Sequence, residues 1–255
     1  MTARRANDVQ RAWSTSGARV ERVDRVLVDA LGETVEVRGP EAHHLRDVLR
    51  LRPGAEVEAF DGRGRYARGT ITAVDRERVV LSLGEPRAST AEPRVAVTLA
   101  VALLKGDKLV DVVRPATELG VARFRLFVSA HCEARDVSAV KLSRLRRVAQ
   151  EAARQCGRSV VPEVEAPVPV ARLELDGEVV VGDPAAEQGL AAHLDDLLAA
   201  PAVTFVTGPE GGLSDAEVEH LRERGARAVR LGPRVLRADT APVAMAAALL
   251  LIEGS

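Results

Sequence analysis

FVTGPEGGLSDAEV, residues 205–218, joins two kinds of order. The β-type apolar run that leads into it stops at Thr207, as a buried strand does. Gly208, Pro209, Glu210, Gly211 and Gly212 follow, and Ser214 opens a helix-like pattern with the spacing of a capping box. A glycine-rich turn between a strand and a helix lets a small polar ligand approach the backbone closely. Two common versions are excluded. A P-loop needs a lysine for phosphate, and this turn carries Glu210 instead. A dinucleotide fingerprint needs G-x-G-x-x-G at the start of a βαβ unit, and this turn comes late with other spacing. A carboxylate repels polyphosphate and tolerates positive charge. Alone, the stretch reads as readily as a plain capped turn.

It does not stand alone. VRLGPRVLRADTA, residues 229–241, is a second strand-to-loop passage, and EVVVGDPA, residues 178–185, is a third. Ligands of open α/β sheets lie beyond the carboxyl ends of the strands, so three such loops make one pocket. A neutral adenosine with a sulfonium tail suits backbone groups and a carboxylate better than ATP does.

From Val95 onward strands alternate with helices: VAVTLAVALL, a helix from about 106 to 119, FRLFVS, a helix from about 138 to 156, EVVVGD, a helix near 186–198, VTFVTG, a helix over 215–224, AVRLG, and a last helix from about Thr240. This predicts an α/β fold with a mostly parallel sheet covered on both faces. Pro115 is expected to kink its helix. Earlier, RVLVD, TVEVR, AEVEAF, YARGTITAV and RVVLSL predict an all-β region with one helical insert, EAHHLRDVLRL. GEPRASTAEPR, residues 84–94, marks the boundary. Residues 1–20 lack periodicity and are expected to be a disordered extension. The organisation is thus 1–20 extension, 21–88 β region, 94–255 α/β domain.

Composition narrows the class. The 255 residues carry 36 Lys and Arg against 37 Asp and Glu, so net charge neither requires nor excludes nucleic acid. At 2% aromatics, base stacking cannot be the main mode of RNA recognition. No run reaches the roughly 18 apolar residues of a membrane span, and the N-terminus has no secretory apolar core. Cys132 and Cys156 make no disulfide framework, and Cys132 beside His131 has no further ligand cluster. The expectation is a cytoplasmic protein without a metal.

The passages TGPEGGLSDAEVEHL and GARAVRLGPRVLRADTA resemble the C-terminal signature of the RsmE family, SPOUT-class methyltransferases that act on N3 of a uridine in 16S rRNA. HHLRDVLRLRPGAEVEAFDGRG, LLKGDKLVDVVRPATELGV and RVAQEAARQCGRSVVPEV extend the resemblance in order from about Arg22 to Ile252. It implies a PUA-like β-barrel for RNA, then a SPOUT domain with a trefoil knot that holds S-adenosylmethionine. The cofactor loops it implies contain Gly182 and Asp183; Thr207, Gly208, Pro209, Glu210, Gly211 and Gly212; and Leu231, Gly232, Val235, Leu236 and Thr240. Asp239 stands where the family usually has Glu, and Pro242 where Ala or Leu is common.

Uracil N3 bears a proton, so the site must remove it or stabilise the anion. The candidates are Glu118, Glu210 and Asp239, with Arg114, Arg234 and Arg237 nearby in the motifs. Arg237 is expected to hold phosphate or a uracil carbonyl, and Asp239 to orient it or take the proton; the alternative is a structural ion pair. Glu118 is a further catalytic candidate, or a solvent-facing helix end. For RNA, the helix from 138 to 156 and its end carry Lys141, Arg144, Arg147, Arg154 and Arg158 opposite an apolar face. Arg25, Arg46 and Arg50 are expected to add contacts from the barrel. TAPVAMAAALLLI, residues 240–252, is apolar all round, so one side needs a cover that a second copy supplies in a homodimer. The competing reading is a non-catalytic ribosome-assembly module that keeps the pocket. The intact glycine turn and LGPRVLR passage favour an enzyme.

Overall fold

The computed structural model describes residues 23–253. The extension expected over residues 1–20 lies outside them. β1 (Asp24–Leu27), β2 (Thr34–Arg38), β3 (Glu56–Phe60), β4 (Arg65–Val74), β5 (Arg78–Leu83) and β6 (Arg87–Ala88) form one sheet in the order β1-β3-β4-β5-β2, with β6 on β4. β1 runs parallel to β3 and the other pairings are antiparallel. Period-two alternation sends Val57, Ala59, Ala67, Ile71, Val79 and Leu81 into one core. The helical insert α1 (Gly39–His43) widens into a π turn over His44–Val48 and closes that core with Ala42 and Leu45. Among the described residues no ladder joins β1 to β2, so hydrogen bonding leaves the expected barrel open at that seam.

The second sheet has β7 (Ala96–Ala102), β8 (Arg123–Val128), β9 (Glu163–Val164), β10 (Val168–Pro169), β11 (Glu178–Gly182), β12 (Ala202–Thr207) and β13 (Arg227–Val229). Its order is β10-β8-β7-β12-β11-β13, with β9 on β8, and every pairing is parallel. The central strands are buried almost throughout, because helices cover them. The helices are α2 (Lys108–Leu119), α3 (Ala139–Cys156), α4 (Leu194–Ala199), α5 (Asp215–Glu223) and α6 (Thr240–Glu253). α2 packs against both α3 and α6. α3 buries Leu145, Val148, Ala149 and Ala152 at helical spacing; the Ser138 hydroxyl accepts the Lys141 N–H at 3.2 Å to start it, and Gly157 ends it.

α2 runs through Pro115 as one element. Other local expectations change. The helix expected near 186–198 is a 3₁₀ turn, Leu190–His193, followed by the short α4. There the backbone pairs elsewhere: Arg230 N–H donates to Gln188 O and Leu190 N–H to Arg230 O. β9 and β10 are two residues each, too short to leave a periodic pattern. The segment 84–94 is also no free linker, since β6 lies within it and Glu92 is tied to Arg158.

Candidate active site

β13, β11 and β12 are parallel neighbours whose carboxyl ends, Val229, Gly182 and Thr207, fall on one edge of the sheet. The loops beyond them enclose a cavity of about 650 Å³. Gly182, Asp183, Thr207, Gly208, Pro209, Glu210, Gly212, Leu231, Gly232, Val235 and Leu236 lie on its wall, as does Arg237. Gly211 and Thr240 do not line it. A Cβ on Gly211 would meet His131 Cβ at 3.0 Å, so this glycine serves loop packing rather than ligand approach. Gly208 is fixed by the turn itself, where a Cβ would lie 2.8 Å from Leu213 N. The capping box holds the turn's far end: Ser214 Oγ accepts the Glu217 N–H, and Glu217 accepts the Ser214 N–H at 2.9 Å. The other Glu217 oxygen accepts the Ala130 N–H at 2.7 Å, tying the turn to the loop after β8.

The glutamate of the turn has a different task from the one its charge suggested. Glu210 accepts the Lys105 N–H at 3.2 Å and pairs with Lys108 Nζ at 2.7 Å, so it anchors the turn to the start of α2. Burial opposes ionisation of this carboxyl, but the Lys108 and backbone hydrogen bonds outweigh it and hold its pKa below the ordinary 4.5. A depressed carboxyl contributes stability that is present above the unfolded value and is lost as pH falls through the folded one. Glu210→Gln is therefore expected to be less stable than wild type at neutral pH, with the difference shrinking below about 4.5. Urea midpoints at both ends of that window check this, and an equal difference at both would remove the ionic tie. Lys108, which lines the cavity, escaped the sequence reading. Its signal was the KGDK turn after β7, which ends on the same edge of the sheet.

Two buried side-chain oxygens have no hydrogen-bond partner: Thr207 Oγ1, on the cavity wall, and Asp239 Oδ1, on a residue that is itself off the wall while Arg237 and Ala238 before it line the cavity. Asp239 directly precedes α6, where an aspartate normally caps the helix. Here Pro242 has no N–H to offer, and the Ala241 N–H already donates to Arg237 O. Arg234 and Arg237 are exposed on the cavity wall without an ion pair, so Arg237 and Asp239 are not the structural pair considered above. The turn lacks a cation, but the cavity rim does not. Glu118 is exposed at the far end of α2, ten residues beyond Lys108 and about 15 Å along the helix, off the wall of its own chain's cavity. Arg114 is likewise exposed on α2 and off the wall.

The expected RNA contacts divide. Arg25, Arg154 and Arg158 are corrected, because their charges are used inside the molecule. Arg25 pairs with Glu58 at 2.7 Å, Arg154 with Glu41 at 3.4 Å and the buried Arg158 with Glu92 at 2.8 Å. Arg46 is held by Asp47 and by the carbonyls of Asp75 and Arg76. Arg144 pairs with Asp107 at 2.9 Å on the surface, where such pairs are weak. Arg50 and Arg147 are exposed and carry no ion pair, and Arg50 has left-handed backbone, φ 57°. The stripe looked continuous because sequence spacing shows a face but not the partner that covers it.

A family profile described as an RNA methyltransferase domain matches residues 91–250, and one described as an RNA methyltransferase PUA domain matches residues 37–84. The chain is 32% identical over 222 residues to ribosomal RNA small subunit methyltransferase E of Bacillus subtilis, covering 82% of this chain and 87% of that one. It is 34% identical over 226 residues to the protein of that name from Mycobacterium tuberculosis, covering 84% and 86%. The structure resembles a crystal structure of the Neisseria gonorrhoeae protein of that name bound to S-adenosyl methionine, with TM-score 0.80, 26% identity, and coverage of 91% of this chain and 98% of that chain.

Proposed function

From a chain that belongs to the ribosomal RNA small subunit methyltransferase E family, we propose an S-adenosylmethionine-dependent enzyme that methylates N3 of a uridine in 16S rRNA. The observation that carries this reading is the cavity of about 650 Å³, with the unpartnered Thr207 Oγ1 on its wall and the unpartnered Asp239 Oδ1 one residue beyond the wall residue Ala238. Its volume suits a nucleoside-sized ligand. Thr207 Oγ1 and the backbone groups of the three loops would hold the adenosine and methionine parts. When bound, the cofactor supplies an electrophilic methyl group on sulfur. Asp239 takes the N3 proton, and Arg237 holds the uracil carbonyl or an adjacent phosphate. Glu210, locked to Lys108, shapes the turn and moves no proton.

The reading includes a SPOUT trefoil knot. Its support is the passage of the chain at Arg230 against Gln188 and Leu190 before α6 returns to pack on β12 and β7. It also includes residues 21–88 as the RNA-binding barrel, residues 94–255 as the methyltransferase domain, the small ribosomal subunit as partner, and a cytoplasmic setting. Among the described residues no helix is long and apolar enough to cross a membrane. The homodimer forms through the outer side of α6. There Ala244 and Ala248, with Leu190, Leu231 and Leu236, line an apolar groove of about 460 Å³, and Leu251 is exposed.

The test is to incubate the protein with small subunits that lack the modification and with labelled cofactor, then map the product. A single N3-methyluridine in 16S rRNA is expected; methyl on another atom, or on none, overturns the proposal. RNA should be held by phosphates. Arg147→Ala is expected to reduce the salt dependence of RNA affinity by about 0.7–0.9 log units per decade of salt. An unchanged slope would make Arg147 a merely solvated side chain.

A further inference from the structure

We propose that the barrel and the methyltransferase domain form one rigid body clamped by two guanidinium groups, and that Arg25 and Arg158 are positioning residues that hold the RNA-binding surface at a set distance from the cavity. The proposal rests on the reading of the barrel as the RNA-binding part.

The clamp is saturated with polar contacts. Arg25, on β1, donates from Nε to Glu58 at 2.7 Å. It also donates to Arg158 O at 2.7 Å, Ala153 O at 3.4 Å and Ser159 Oγ at 3.0 Å. Its plane lies over the Phe60 ring, 4.5 Å from the centroid. Arg158 donates to Thr117 O and Val121 O, both at 2.8 Å, and to Glu92 at 2.8 and 3.0 Å. The second Glu92 oxygen accepts the N–H groups of Ser159 and Val160, both at 3.1 Å. Arg25 therefore seats the barrel on the carboxyl end of α3, and Arg158 joins that end to the carboxyl end of α2. Both helix ends present free carbonyls and partial negative charge, which a planar cation satisfies. Backbone bonds complete the seam: Gly64 N–H donates to Ser159 O and Val161 N–H to Gly62 O, both at 3.0 Å. Gln150 donates to Glu41 of α1 at 2.9 Å.

Buried charges lose hydration, and a hydrophobic seam would have been at least as stable. What this seam adds is direction, since each guanidinium fork accepts only one arrangement of its partners. The two clamped helices lead to the cavity. The amino end of α2 places Lys108 on the cavity wall. Near the amino end of α3, Lys141 donates to Gly106 O at 2.7 Å, which ties the helix to the loop that carries Lys105 to Glu210; the exposed pair of Arg144 with Asp107 adds little to that tie. A shift of the barrel is thus carried along these two helices to the cavity rim.

The experiment uses the full chain with Cys156→Ser and nitroxides at V48C, in the barrel, and V140C, on α3, both exposed, with labelled chain diluted in unlabelled chain. Arg25→Met is the informative variant because Glu58 keeps Arg68 at 3.1 Å and is not left unpaired. Arg25→Lys is the conservative variant, and it decides the matter if Arg25→Met does not fold. Wild type is expected to show one narrow distance distribution, Arg25→Met a broad one and Arg25→Lys an intermediate one. With the distribution broadened, kcat/KM for small-subunit RNA should fall at least about tenfold and methyl should appear on additional uridines, while cofactor Kd stays within about twofold. A broad wild-type distribution, a narrow one in both variants, or a broadened one with unchanged kcat/KM and a single product site overturns the proposal. If wild type methylates no small-subunit RNA, the proposed function fails, and the distance measurement still decides the clamp.

Discussion

Asp239→Asn is expected to slow single-turnover methyl transfer by about 10²- to 10⁴-fold, the range that a lost general base produces, and to leave cofactor Kd within about twofold. Uracil N3 offers no lone pair until its proton leaves, so a base is needed at neutral pH. Asp239 Oδ1 is buried and accepts no hydrogen bond, because the helix start it precedes has Pro242 where a capping N–H would be. A buried acceptor left unpaired costs stability, and the site offers no internal use for it. Asparagine keeps the size and removes the basicity, so folding should survive. The variant should also approach wild type as pH rises, since solvent then deprotonates the uracil in place of the enzyme. A rate loss below tenfold, or a deficit that does not shrink with pH, assigns proton removal to another group. Glu118 is not that group from its own chain, because it sits at the opposite end of α2 from Lys108.

Much of this site is legible in the sequence. The alternation of apolar runs with helical periods after Val95 produced a parallel sheet, because strands such as β12 are buried on both faces and cannot hide that in their composition. The three strand-to-loop passages met at one cavity because parallel strands put their carboxyl ends on one edge. What stayed hidden depended on pairing across long sequence separations. Glu210 and Lys108 stand 102 residues apart, so the turn's charge was read as an open invitation to a cationic ligand when it was already neutralised. Arg25 and Arg158 stand 133 residues apart, and each looked like a surface base until its partners appeared. The signature passage 229–241 drew attention to Asp239, but only the placement of Pro242 in α6 explains why its oxygen is left unpaired.

Ala248→Glu is expected to convert the protein from dimer to monomer at low micromolar concentration and to abolish methylation of small subunits. Every helix with one apolar stripe can bury it on its own sheet; α6 is apolar on the outer side as well. Pro242, Met245, Ala246, Leu249 and Leu250 are spent on the core, so Leu250→Arg would damage folding rather than report on association. Ala244, Ala247 and Ala248 are half-buried on the other side, and Leu251 is 62% exposed. Spaced three and four apart, they form a ridge of small residues that lets a second α6 approach closely. The groove beside that ridge is bounded by Leu231 and Leu236, and both also line the cavity. A partner seated on α6 therefore presses on the loop that carries Arg237, so dimer and active site are expected to fail together. An unpaired carboxylate at the centre of such a contact costs about 3–5 kcal/mol, a weakening of more than about a hundredfold in dimer affinity. Light scattering after size exclusion reads the mass, and the variant's thermal unfolding separates lost association from lost folding. A folded Ala248→Glu monomer with wild-type turnover sinks the shared dependence, and a wild-type monomer at the same concentration sinks the dimer itself.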